Sequence, residues 1–447
     1  MPASFIGAPC SSSPGVPPAN HTYYVSPTGN DSNNGLSTAS PFLTISRAFK
    51  KKFLKPGDLV LVEAGTYEES VDIQTAGSSG ACITLMGMPG QPVPTVTWSN
   101  DNNATINIWA PYIRISGLAV THPEPNFNAA STANTGNTAI DSWGALARDA
   151  NKIWRPTVHH IQIDNTIAYG SGCGGISFEN TDYMLAYGNT VYGNAFSDPD
   201  ECSGISIYEP VNLDSNSGYH IFVIDNYSFA NQNIQPAYGQ TYTTDGNGII
   251  IDDGRQTQAT QPSPPQLPIS AYTGATLILG NVVFGNGGRG IHIYESDNVD
   301  VINNVAYQNL NDTKLKNYPS CGGELNAAYA GAIRFESNIA VASANNLEVL
   351  AQSGAASDQA SNFWANDIAD VGVVSLGSAN TGNAGAKALY GVNPGFLSAS
   401  TNPSAANFAL TPSSAAIGAG YVLNFAITDA DGSTVPAGGV TNIGAFQ

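Results

Sequence analysis

Charge is what this 447-residue chain has least of: Asp, Glu, Lys and Arg make up 11% of it, against about a quarter in an ordinary soluble domain. So small a supply of Lys, Glu and Arg argues against a helical protein, whose exposed faces draw on those residues. Positive charge is the scarcer sign, 15 Lys and Arg against 34 Asp and Glu, a net −19. A surface of that sign repels phosphate backbones and anionic lipid, so neither nucleic acid nor a membrane is expected as a partner. No apolar run approaches the roughly 18 residues of a membrane helix. Only five cysteines occur, Cys10, Cys82, Cys173, Cys202 and Cys321. They show no CxxC or Cys/His spacing, which argues against zinc. Also missing are a Gly-x-Ser-x-Gly elbow and a phosphate-binding P-loop, which leaves serine hydrolase and nucleotide chemistry without support.

What the chain has is 47 Gly, abundant Asn, Ser and Thr, and 42% apolar residues, enough for a large core. Its length allows two or three ordinary domains or one long repetitive one. A repeat decides between them. Gly175-Ile-Ser-Phe-Glu179, Gly204-Ile-Ser-Ile-Tyr208, Gly248-Ile-Ile-Ile-Asp252 and Gly290-Ile-His-Ile-Tyr294 share a Gly-Ile-x-Ile pattern, and Ala332-Ile-Arg-Phe-Glu336 follows it loosely. A second alternating strand ending in Asn comes next, then a short third strand such as Val282-Val-Phe284. Strands so short bury their apolar face only against copies stacked above and below. The expected fold is therefore all-β, a single-stranded parallel β-helix with three strands per coil. Asn165, Asn189, Asn226, Asn281 and Asn304 are expected to stack as a ladder at one bend. Cys173 and Cys202, each two residues before a motif Gly, would stand about 5 Å apart on neighbouring coils, inside the disulfide window. Cys10 and Cys82 are left to pair near the N-terminus, with Cys321 free.

Residues 1–21 read as a flexible lead-in, and 22–447 as one β-helix domain: cap and first coils over 22–110, central coils over 111–345, closing coils over 346–447. Residues 1–20 carry neither the charged nor the apolar region of a secretory leader, so any such leader is expected to have been removed. Phe42, Ile45, Ala48, Phe49 and Phe53 at helical spacing predict a helix over 42–54 that plugs the open end of the coil.

Tyr23-Tyr-Val-Ser-Pro-Thr-Gly-Asn-Asp-Ser-Asn-Asn-Gly35, Pro56-Gly-Asp-Leu-Val-Leu-Val-Glu-Ala-Gly-Thr-Tyr67 and the ending Asn442-Ile-Gly-Ala-Phe446 resemble secreted right-handed β-helix proteins of the pectate-lyase-like superfamily, particularly relatives of the family-nine pectate lyases. The resemblance implies a secreted, monomeric enzyme acting on a polysaccharide, with its groove along the Gly-Ile-x-Ile strand. That family draws its calcium acids from an Asp-Gly segment and from an Asp-Asp-Gly-x-Asp run one coil later. Thr244-Asp245-Gly246 matches the first, whereas Gly288-Arg289-Gly290-Ile291-His292 has none of the acids of the second. The β-helix mannuronan epimerases carry Asp-Pro-His where this chain has Asp198-Pro199-Asp200.

With the two Ile of each motif inward, one outward column holds Ser177, Ser206, Ile250, His292 and Arg334. The next holds Glu179, Tyr208, Asp252, Tyr294 and Glu336, and the turn beyond places Glu209, Asp253 and Glu295 one over another at about 4.8 Å per coil. Carboxylates at that spacing repel, so they share a cation or one keeps its proton. The first outcome makes Glu209, Asp253 and Glu295 a Ca²⁺ site. The second makes an acid/base pair of Asp252 and Asp253, or Glu209. Arg255, Arg289, Lys314, Lys316 and Arg334 gather a third of the 15 basic residues around this row. Arg255 and Arg334 read as substrate contacts with Glu179, Tyr208, Tyr294 and Glu336, the two Tyr as stacking surfaces for sugar rings. The leading reading is a polysaccharide lyase cleaving a uronate-containing glycan by β-elimination, with Arg289, Lys314 or His292 taking the proton. The alternatives are a glycoside hydrolase working through the carboxyl pair and a non-catalytic carbohydrate-binding spacer or adhesin.

Overall fold

The structure is a computed structural model that describes residues 9–10, 15–50, 53–99, 103–129, 136–258, 269–376, 388–423, 426–429 and 433–447. Three long parallel sheets of 10, 11 and 11 strands wind into a β-helix. The ten-stranded sheet, called the floor sheet below, carries the Gly-Ile-x-Ile strands. In each coil the chain passes from the floor sheet to a second sheet and then to a third, as in Ile249–Asp252, Ala275–Leu279 and Val282–Phe284. The inward positions of the floor, such as Ile205, Ile249, Ile291 and their partners Ile207, Ile251 and Ile293, are fully or almost fully buried in one continuous core. That alternation is why a short strand is stable here: its apolar half lies against the same half of the next coil.

Two ladders of Asn side chains hold the bends. At the bend between the second and third sheets, Asn189 donates to Asn226 at 2.9 Å, Asn226 to Asn281 at 2.9 Å, Asn281 to Asn304 at 2.9 Å, and Asn304 to Asn338 at 3.0 Å. Asp367 closes the row by accepting from Asn338. Asn165, expected in this row, is absent from it. Thr166 stands in its place and gives only its backbone N–H to Asn189, while Asn165 donates to Asp164. A second ladder at the return to the floor runs Asn194, Asn231, Asn286 and Asn309 at 3.0, 2.9 and 2.7 Å, and ends on the buried carboxyl of Glu324.

The second ladder explains the motif glycines. A Cβ on Gly204 would lie 2.5 Å from Asn231 Nδ2, and one on Gly290 would lie 2.9 Å from Asn309 Nδ2 and 2.6 Å from the Glu324 carbonyl oxygen. Only glycine leaves room for an amide there. It also explains where the pattern stops. The floor strand after Ile291–Tyr294 is Leu325–Ala328, preceded by Glu324 instead of Gly, because the ladder ends on that residue. The Ala332-Ile-Arg-Phe-Glu336 segment, expected in the floor, is instead a second-sheet strand, Ile333–Glu336, paired with Val299–Ile302.

At the N-terminal end the helix is only Ile45–Phe49, shorter than expected. Lys51 and Lys52 lie outside the described residues. Thr44 caps it, and Glu69 accepts the Ile45 and Ser46 N–H groups at 2.7 and 2.9 Å. The buried Ile45, Ala48 and Phe49 cover the first coil. Both expected disulfides are present, Cys173–Cys202 with Cα atoms 5.2 Å apart and Cys10–Cys82 at 5.5 Å, and Cys321 is free and buried. Cys10 is thereby anchored to the domain, although it falls in the segment read as a flexible lead-in.

Asn281→Ala leaves the Asn226 backbone N–H without its acceptor and takes one of two partners from Asn226 Nδ2 and from Asn304 Oδ1. With about 1–3 kcal/mol for an unmet buried group, the substitution is expected to lower stability by about that amount. Exposed Asn151→Ala is the control, and the urea midpoint is the reading. Burial pushes the Glu324 carboxyl up to about 8, against the opposing pull of its bonds from Asn309. The folded chain therefore keeps a proton that the unfolded chain releases near about 4.3, and this contribution to stability falls as pH rises between those two values. Glu324→Gln is expected to flatten the decline in urea midpoint across that window.

Candidate active cleft

The floor sheet fixes the register of everything exposed on it. Tyr208 pairs with Asp252 and Asp252 with Tyr294, so the expected column exists in this part of the sheet. Glu209, Asp253 and Glu295 follow one residue later on three adjacent coils, each with positive φ, at 46°, 47° and 46°. Asn180 and Tyr329 share the conformation at equivalent places, which makes it the turn geometry of the coil and no mark of a site.

Over the floor lies a cleft of about 590 Å³. Its base is formed by Ile250, His292, Asn326 and Ala351 in one outward column and Asp252, Tyr294 and Ala328 in the next. One wall comes from the segments that lead into the floor strands, carrying Asp245, Arg289, Lys316 and Gly322, and from Glu348 at the start of the strand Glu348–Ser353. The other comes from the segments that leave the floor, carrying Gln258 and Tyr329, and from Ser353 at the end of that strand. Long connections beside one face of a stiff scaffold are where such walls are expected.

Two carboxyls border the floor strand Ile249–Asp252. Asp252, at its end, accepts from Gln258 Nε2 at 2.6 Å. Burial holds its carboxyl well above the usual range, and the nearby Asp245 charge raises it further. Asp245, three residues before the motif Gly, accepts from the Thr244 hydroxyl at 2.8 Å and from Asn247 Nδ2 at 2.7 Å. Burial raises its pKa too, but the Arg289 guanidinium pulls it back. Arg289 itself is fixed, donating to the Cys321 and Thr244 carbonyls at 2.8 and 2.6 Å. His292 is 4% exposed, its Nδ1 has no hydrogen-bond partner, and burial together with the Arg289 charge keeps it neutral. Cleft carboxyls of unequal proton affinity beside a neutral imidazole are suited to moving protons to and from a bound molecule.

Several expected site residues stand elsewhere. Arg334 and Glu336 are in the second sheet, where Arg334 pairs with Glu336 at 3.0 Å and lies over the Tyr421 ring; Asn326 and Ala328 take their places in the floor. Arg255 is outside the cleft and bridges Asp297 and Asp358 at 2.6 and 2.9 Å. Lys314 is exposed and does not line the cleft, whereas Lys316 does. The Asp253 carboxylate accepts the Thr257 and Gln258 N–H groups at 2.6 and 2.9 Å, and Glu295 accepts from the Thr257 hydroxyl at 2.9 Å, so the acid row anchors the loop that follows the strand. Glu209 is buried beside Asp253. Among the described residues no three His, Cys, Asp or Glu side chains converge as a metal cage. A guanidinium and an imidazole stand where the family-nine pattern has calcium acids, and that donor set does not fit a hard cation. Asp198 accepts from the Gly136 and Asp200 N–H groups at 2.9 and 2.8 Å and braces its own loop. Glu179 lies in the same outward column as Asp252, two coils away. Sequence reasoning missed Asp245 as an acid in its own right and Gln258, because loop residues carry no periodicity, and missed the floor residues Asn326 and Glu348, because Leu325–Ala328 and Glu348–Ser353 lack the Gly-Ile-x-Ile pattern.

A profile described as "Pel9A-like, right handed beta helix region" matches residues 23–326, and the chain belongs to that family. Among solved structures it is similar to the pectate lyase Pel9A, with a TM-score of 0.53 and 17% identity over 96% of both chains. It is also similar to a GH136 lacto-N-biosidase from Eubacterium ramulus, with a TM-score of 0.49 and 11% identity over 83% of this chain and 67% of the other. The likeness to Pel9A establishes the right-handed β-helix fold. A curated relative, the uncharacterized protein YwoF of Bacillus subtilis (strain 168), is 34% identical over 92 residues, 21% of this chain and 18% of that protein. The chain thus matches less than a fifth of that relative.

Because one guanidinium lowers both groups, Arg289→Ala is expected to raise the titration midpoints of Asp245 and His292 together, followed by carboxyl and imidazole NMR. Unmoved midpoints would mean that its charge is not felt in the cleft.

Proposed function

We propose that this protein is a carbohydrate-cleaving enzyme that breaks glycosidic bonds hydrolytically in the floor-sheet cleft, on a predominantly neutral glycan. The observation that carries the reading is the Asp245 and Asp252 pair on either side of one floor strand, with environments that separate their proton affinities. Asp252, with the stronger upward shift, keeps its proton and gives it to the leaving glycosidic oxygen. Asp245, steadied by Arg289, stays the more readily ionised and assists attack at the anomeric carbon. Tyr294 offers a flat ring beside Asp252. The net −19 charge also favours a neutral chain over a polyanion. Two disulfides suit an oxidising, extracellular setting.

One observation favours β-elimination as a second reading. Arg289, Lys316 and Asn326 gather round the neutral His292 and offer partners for a uronate carboxylate next to a proton acceptor. Products separate the two: hydrolysis gives a new reducing end alone, whereas elimination adds the ultraviolet absorbance of an unsaturated uronide. Purified protein screened against neutral glycans and uronans is expected to release reducing ends without that absorbance, and with no loss on EDTA treatment. Asp252→Asn and Asp245→Asn are each expected to cut turnover by about 10²–10⁴ with unchanged circular dichroism. Calcium-dependent absorbance on a uronan would overturn the proposal in favour of the lyase.

A further inference from the structure

The Asp252 column does not end at the cleft. Followed towards the N-terminus it runs Asp252, Tyr208, Glu179 and Trp143 by successive strand pairings. Trp109, one residue beyond the pairing of Ser142 with Ile108, continues it. At about 4.8 Å per coil the two indoles stand roughly 14 and 19 Å from Asp252.

They are unusual for this surface. Trp109 is 38% exposed and Trp143 is 49% exposed, while the inward neighbours Ile108, Ile140 and Ser142 are fully buried. Their rings lie 6.1 Å apart at an interplanar angle of 30°, and Trp109 Nε1 donates to Asp72 at 3.3 Å, which fixes that ring. Two indoles on adjacent coils form a flat apolar strip in line with the cleft. Beside it stand Asp141, in the neighbouring outward column, and Glu179, both half-buried. A flat apolar surface edged by carboxyl oxygens matches a pyranose ring, which has apolar C–H faces and an equatorial fringe of hydroxyls. An acyl chain would leave the carboxyls unmet, whereas the hydroxyls of a neutral sugar can pair with a carboxyl in either protonation state.

We propose that Trp109 and Trp143, with Asp141 and Glu179, form a distal subsite that holds the far end of a neutral oligosaccharide whose reacting bond lies at Asp252. This rests on the hydrolytic reading only for which bond is broken, not for what is bound. The subsite makes the protein a reader of chain length: short oligosaccharides reach the cleft alone, and longer ones are held at both ends.

The test uses Asp252→Asn protein and isothermal titration with cello-, xylo-, manno- and malto-oligosaccharides, from disaccharide to octasaccharide, and oligogalacturonates in parallel. In at least one neutral series affinity is expected to rise with length and then level off. Trp109→Ala and Trp143→Ala should each remove about a tenfold share of that rise, leave the disaccharide unaffected and leave the melting temperature unchanged, while Trp143→Phe retains most of it. Affinity independent of length, a rise that survives the double alanine variant, tighter binding of the oligogalacturonates, or no binding in any neutral series would overturn the proposal. Hydrolysis without a tryptophan-dependent rise defeats the subsite and leaves the function standing. The rise without hydrolysis by the wild-type protein does the reverse.

Discussion

The amide-to-amide contact at each bend is the constraint on which the rest depends. Each ladder Asn uses its Nδ2 to reach the next coil's Oδ1 and a backbone carbonyl, and its Oδ1 to accept from the coil before, so a coil slipped by one residue leaves several buried polar groups unmet. The second ladder presses on the motif glycines at the start of the floor strands. Strand register in a stack of short segments is weakly set by apolar packing alone. Here it is set by polar groups with one acceptable arrangement, and the alignment of Tyr208, Asp252 and Tyr294 follows from it.

From a fixed floor the chemistry is assembled by the connections. Asp252 belongs to the sheet and is placed by it, whereas Asp245 and Arg289 come from segments leading into successive strands, and Gln258 from the segment leaving one. The stiff part supplies spacing and the irregular part supplies unlike surroundings. Two acids with the same side chain then differ in proton affinity, one set chiefly by burial and the other moderated by a cation bolted to two carbonyls. In the proposed reading, the end of one short strand and the segment before it supply the donor and the acceptor of protons.

Much of this was legible in the residues. The three-strand coil, the outward columns from Glu179 to Tyr294, the first ladder from Asn189 to Asn304 and the Cys173–Cys202 disulfide follow from period and phase. The second ladder carries its own signal in the sequence: Asn194, Asn231, Asn286 and Asn309 each lie five residues after a member of the first. The displacement of Arg334 and Glu336 has a physical cause, since Ile333–Glu336 alternates as a floor strand does and lacks only the Gly that ladder contact demands. Asp253 was read as chemistry because it is acidic and aligned, yet its oxygens are taken by the N–H groups of the next turn, a local bond that column arithmetic does not register. Asp245 escaped because a loop has no phase to read.

The most direct trial of the account is a crystal structure of Asp252→Asn with a bound neutral oligosaccharide. The account predicts a glycosidic oxygen within hydrogen-bonding distance of the residue 252 side chain, with Asp245 close to the anomeric carbon and a sugar ring against Tyr294. A chain bound to the second or third sheet, or lying in the cleft with every glycosidic oxygen out of reach of both residues, would contradict it.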